Sequence, residues 1–140
     1  MLYSLAPMEG ITGAEYRAVH HRHFPGGDRY YMPFITPTQD RVFTPRELRN
    51  IAPERNVGYC AVPQLLTKNA RDFNWAAGEL WAMGYDEVNL NLGCPSGTVT
   101  AKGKGAGMLA DLEGLDRFLD GVFSASRGKV SVKTRLGLRD

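Results

Sequence analysis

Cys94 follows Asn91 by three residues, at the point where the apolar run Val88 to Leu92 breaks at Gly93 and gives way to Pro95. An amide and a thiol are thereby brought together at the carboxyl end of a strand, the end at which parallel-sheet proteins keep their chemistry. A thiol with an ordinary pKa of about 8.5 stays mostly protonated at neutral pH, which suits a general acid better than a nucleophile. A cysteine at a strand end is by itself only a small buried hydrophobe. Flanked by Asn-x-Gly and by Pro, it reads as a catalytic acid.

Lys133 lies in a β-branched apolar run, where an ammonium facing inward needs an anion or an electron-rich ring and one facing outward simply snorkels to water. Arg135, two residues on, shares its face. Gln64 and Asn91 end neighbouring strands and offer amide donors and acceptors, either to the edge of a bound ring or to a loop backbone.

Positioning these groups requires alternating strands and helices. Five short apolar runs predict strands over Leu2 to Met8, Tyr30 to Ile35, Val57 to Leu65, Glu87 to Gly93 and Lys129 to Leu136. Between them lie helical patterns with readable starts. Thr12 with Glu15, and Thr44 with Pro45 and Glu47, each fit a capping box. Asn69 with Asp72 opens a third helix, along which Phe73, Ala76, Ala77, Leu80 and Trp81 recur at helical spacing until Gly84 closes it. Leu112, Leu115, Phe118, Leu119 and Val122 repeat the logic, and both stripes are expected to pack on the sheet.

The chain has 140 residues, 43% hydrophobic and 23% charged, which is enough for one globular domain over 1–140 with a real core. A formal net charge of +2 announces no polyanion partner, so any nucleic-acid surface must come from local clustering of Lys and Arg. The two cysteines, Cys60 and Cys94, read as free thiols in a reducing compartment, and the segment Met1 to Met8 lacks the basic flank and long apolar stretch of a secretory signal or membrane span. Cytoplasm is the expected location. The run Ala101 to Gly107 lacks the Gly-Lys-Ser/Thr ending of a phosphate loop and is read as a flexible basic loop, with Lys102 and Lys104 as phosphate contacts or merely solvated. His20, His21 and His23 carry no accompanying ligand pattern, and no metal is expected. The βα pattern stops at Asp140, whereas a closed eight-stranded barrel needs roughly 250 residues. The expected fold class is therefore α/β, a parallel (β/α) TIM-barrel type truncated after about five strands, in preference to an open five-stranded sheet.

The order Asn91, Gly93, Cys94, Pro95, then Val99, then Gly105-Ala106 resembles the motif of the tRNA-dihydrouridine synthase family. Leu5 to Thr12 resembles its first-strand motif, Gln64 ends the third strand, and Val132 to Gly137 resembles the fifth, so the similarity spans nearly the whole chain. The resemblance implies an FMN-bound barrel that reduces the C5–C6 double bond of uridines in tRNA, with NADPH recharging the flavin. It implies Cys94 as proton donor to the carbon next to the one that takes hydride. It also implies Lys133 beside the pyrimidine end of the flavin and Pro7, Met8, Glu9 and Gly10 around the cofactor, the first loop bonding through its backbone; Gln64 is read as a cofactor contact and Asn91 as a substrate contact, their amides suiting the edge of a flavin or of a uracil, and Arg135 is read as a substrate contact able to meet flavin, uracil carbonyl or phosphate. Glu9, where relatives often carry a small residue, and Gly107-Met108 depart from the family pattern, which bears on substrate detail. The alternatives are a flavin barrel acting on a free pyrimidine, like dihydroorotate or dihydropyrimidine dehydrogenases, which more typically show Ser-Cys-Pro, and a catalytically incomplete fragment of the synthase. An unclosed barrel also predicts self-association.

Overall fold

The computed structural model describes residues 1–137; residues 138–140, the end of the single domain expected over 1–140, lie outside the described residues. The chain runs β1 (Ser4–Leu5), α1 (Ala14–His23), β2 (Arg29–Tyr31), α2 (Pro45–Ile51), β3 (Ala61–Val62), β4 (Gln64–Leu65), α3 (Ala70–Ala82), β5 (Glu87–Asn91), α4 (Gly97–Thr100), α5 (Leu112–Phe123) and β6 (Lys129–Lys133). Short 3₁₀ turns occupy Pro53–Arg55 and Gly105–Ala110.

All strand pairs are parallel, in the orders β1-β2-β3 and β4-β5-β6. Pro63 separates β3 from β4. A proline has no N–H for the ladder, but its carbonyl still accepts from Asn89 N at 2.8 Å, and Ile35 bridges to Leu65. The two ladders thus share the segment 61–65 and run in strictly sequential order. Sequential parallel order lacks the reversal of a doubly wound sheet, and α3 and α5 pack on one face of it. The fold is the α/β, parallel βα architecture that the sequence predicts.

β5 shows how the two faces differ. Val88, Leu90 and Leu92 join Phe73, Ala76, Ala77 and Leu80 of α3 and Phe118 and Val122 of α5 in one apolar core. Glu87, Asn89 and Asn91 alternate to the opposite face and are also buried. The helix side supplies the hydrophobic stabilisation; the other side is polar.

Several sequence expectations need correction. The third strand does not begin at Val57, since Val57 and Gly58 form a turn followed by a bend at Tyr59, and the second is regular only over Arg29–Tyr31 before the bridge at Ile35. Thr12 and Glu15 form no capping box: α1 is capped by Gly13 without a side-chain bond, because the Thr12 hydroxyl bonds Met8 and Glu15 pairs with Arg55. Thr44 with Glu47 does form the reciprocal box, and Asn69 caps α3 by accepting from Arg71 N and Asp72 N. Leu112 is 71% exposed and not part of the core, since it is the first residue of α5, where Asp111 caps the turn. Among the described residues no helix is long and apolar enough to cross a membrane.

Candidate active site

The polar face of the sheet carries a continuous row of side-chain hydrogen bonds. Asn91 Oδ1 accepts from the backbone N–H of Gly93 at 3.1 Å and of Cys94 at 2.9 Å. Asn91 Nδ2 donates to Gln64 Oε1 at 2.9 Å, Gln64 Nε2 to Asn89 Oδ1 at 2.7 Å, and Asn89 Nδ2 to Ser131 Oγ at 2.8 Å. Gln64, Asn89 and Asn91 are buried, and these bonds offset the cost of removing three amides from water.

Cys94 stands on the loop leaving β5 and is half-buried. Its backbone is held from two sides, by Asn91 at its N–H and by Ala106 N, which donates to its carbonyl at 3.0 Å. Gly105 sits there with φ +55, and a Cβ on it would meet Cys94 O at 2.9 Å and Cys94 Cβ at 3.2 Å. Gly93 is equally committed, since a Cβ there would lie 3.2 Å from the Thr134 carbonyl carbon. The segment Ala101 to Gly107 is therefore not the loose loop expected from its composition. It leaves α4 in a turn and enters the Gly105–Ala110 3₁₀ segment, which lies back on the cysteine with Gly105 and Ala106 buried.

The register Asn91↔Lys133 puts Lys133 on the same face as the amide row, and Leu92 N donates to Lys133 O at 2.8 Å. Lys133 is exposed, as is Arg135 beyond the strand end. Lys102 is exposed and Lys104 half-buried; burial, then the neighbouring charges of Lys102 and Lys68, hold the Lys104 ammonium below its ordinary pKa. Three cations thus gather beside the cysteine loop, and a Cβ on Gly103 would lie 3.5 Å from Lys68 Nζ.

The first loop is built differently from its expected use. Met8 N–H donates to Thr12 Oγ1 at 2.9 Å, and the Met8 carbonyl accepts from Ile11 N and Thr12 N, so this backbone bonds within its own turn. Gly10 supplies the turn's positive φ of 77. Glu9 pairs with Arg46 at 3.1 Å. Pro7 is half-buried, and the Met8 side chain is 45% exposed.

Glu87 anchors the other end of the same face. Its carboxylate lies 2.7 Å from Lys129 Nζ and 3.3 Å from Arg29 Nε, and accepts from Tyr31 Oη at 3.4 Å. Burial pushes its pKa up, but hydrogen bonds from Lys129 and Ser131 and the charges of Arg29 and Lys129 outweigh it, so the net shift is downward. A cavity of about 440 Å³ lies here, at the amino-terminal ends of the strands, and Cys60 lines it. The two free thiols therefore belong to opposite ends of the sheet. His20 and His21 pack edge-on against Tyr30, with His21 Nδ1 3.2 Å from Tyr30 Oη.

Sequence reasoning missed Asn89, Ser131, Glu87 and Lys68. The period-two alternation Val-Asn-Leu-Asn-Leu carried a signal for Asn89; Ser131 acquires meaning only from its register opposite Asn89.

Residues 4–140 match the family model for dihydrouridine synthase (Dus). The chain is 32% identical to the tRNA-dihydrouridine(16) synthase of Ralstonia nicotianae, over 97% of the chain and 44% of that protein. It is 28% identical to a probable tRNA-dihydrouridine synthase 1 of Synechocystis sp., over 96% of the chain and 37% of the relative. A tRNA-dihydrouridine(20/20a) synthase of the same organism is 38% identical over 54% of the chain and 21% of its own length. The chain thus spans less than half the length of these relatives.

Proposed function

Because the chain belongs to the dihydrouridine synthase family, we propose that it provides the amino-terminal part of an FMN-binding barrel that reduces uridine to 5,6-dihydrouridine in tRNA, with NADPH as electron source. The observation that carries this reading is the cysteine loop, which leaves β5 beside the Asn91 amide on the face shared with Gln64 and Lys133. FMN, when bound, supplies the hydride that adds to one carbon of the C5–C6 double bond. Cys94 gives the proton to the other carbon, its S–H bond breaking as the C–H bond forms, and the half-buried sulfur regains a proton from solvent.

The donor set suits a flat heterocycle rich in carbonyl oxygens. With Asn91 Oδ1 taken by two backbone N–H groups, what Asn91 and the fully buried Gln64 have left to offer is the second hydrogen of each NH₂, for which the described residues supply no acceptor. Gln64 and Lys133 hold the cofactor by its polar edge, and Asn91 and Arg135 meet the uracil. Pro7, Met8 and Gly10 contribute packing surface, since the Met8 backbone is already bonded to Thr12, and Glu9 acts through its pair with Arg46. Lys68, Lys102 and Lys104 contact RNA phosphates around a target base drawn out of its stack.

Titrating FMN into the purified chain and following the flavin spectrum tests this reading. Saturable binding, weakened about tenfold by Lys133→Ala through loss of a charge-assisted contact, is the expected result. Saturable binding that Lys133→Ala leaves at the native affinity overturns it.

A further inference from the structure

The amide row has a direction, and the backbone sets it. A peptide N–H only donates, so the Asn91 atom facing Gly93 N and Cys94 N must be oxygen. Its NH₂ therefore faces Gln64, whose near atom must be the carbonyl; the Gln64 NH₂ then faces the Asn89 carbonyl, and the Asn89 NH₂ faces Ser131 Oγ. Ser131 Oγ is the last acceptor of the row. Every bond thus points the same way, from the Cys94 N–H to Ser131 Oγ, the arrangement in which successive hydrogen bonds polarise and strengthen one another.

We infer that Asn89 and Ser131 are positioning residues: the one-way series from the Cys94 N–H through Asn91, Gln64 and Asn89 to Ser131 fixes the Asn91 amide and, through it, the backbone that carries the thiol. Asn91 is the only member that touches the cysteine loop; Asn89 and Ser131 act through it from within the sheet. Reversing Asn91 would set its NH₂ against two N–H donors, so the loop geometry depends on the series keeping its sense. The functional weight of this inference rests on Cys94 as proton donor, but the series can be tested without turnover.

The test is amide hydrogen exchange of the chain, read at Gly93 and Cys94 with Leu80, a fully buried residue of the core helix α3, as reference. Asn89→Leu, which can neither accept from Gln64 nor donate to Ser131, and Ser131→Ala, which removes the acceptor, should each speed exchange at Gly93 and Cys94 by about tenfold and leave Leu80 unchanged. Asn89→Asp should keep the native protection. Its carboxylate still accepts from Gln64, and Ser131 turns its hydroxyl to donate to it, so Asn91 keeps its sense. The inference fails if Asn89→Leu and Ser131→Ala leave Gly93 and Cys94 protected, if Leu80 accelerates by the same factor, or if Asn89→Asp exchanges as fast as Asn89→Leu. Should Asn89→Leu not fold, Ser131→Ala alone carries the comparison. Absence of uridine reduction would bear on the chemistry of Cys94 and not on this outcome.

Discussion

At the residue scale, the chemistry rests on groups whose type is costly where it stands. A cysteine between Gly and Pro, a lysine in an apolar strand and an amide at a strand end each demand a partner, and the structure puts Gln64, Asn91 and Lys133 on one face with Cys94 on the adjoining loop. Ser131 escaped sequence reasoning because an isolated Ser in a strand signals nothing until its cross-strand neighbour is known, and Asn89, although the alternation Val-Asn-Leu-Asn-Leu places it with Asn91, gains its partners only from the neighbouring strands. Lys68 escaped likewise, since its nearness to Gly103 is tertiary. If Lys68 and Lys104 meet phosphate, replacing either with alanine should weaken tRNA binding at low salt and lower the slope of log affinity against log salt by about 0.7 to 0.9. Filter binding over a salt series reads this. An unchanged slope places both lysines outside the RNA footprint.

At the element scale, capped helices were legible and interrupted strands were not. Thr44 and Asn69 cap as expected because nothing else competes for their side chains, whereas the Thr12 hydroxyl is drawn to both backbone groups of Met8. Pro63 divides one expected strand into two because it cannot donate to the ladder. Glu87 ties β2, β5 and β6 together through Arg29, Tyr31 and Lys129. Its folded pKa lies below the ordinary 4.5, so the stability it contributes is fully present above that value and is lost as pH falls through the folded pKa. Glu87→Gln should therefore be less stable than the native chain at pH 7, with the gap closing as the pH drops below about 4.5. Urea denaturation at several pH values measures it, and a gap that does not change with pH would show that the carboxylate charge contributes nothing.

At the scale of the whole molecule, sequential parallel order gives the chain one apolar face under its helices and one polar face for chemistry. Among the described residues β1 and β6 are the end strands of the sheet, and their unpaired ladder groups should drive concentration-dependent self-association by light scattering; a monomer at every concentration would contradict this. The central claim is that Cys94 protonates the reduced uracil. It is tested most directly by mixing tRNA with FMN-loaded protein already reduced by NADPH and timing flavin reoxidation under single-turnover conditions. Cys94→Ala should slow reoxidation by about 100-fold or more while leaving the preceding reduction by NADPH unchanged. Reoxidation at the native rate in Cys94→Ala would contradict the account.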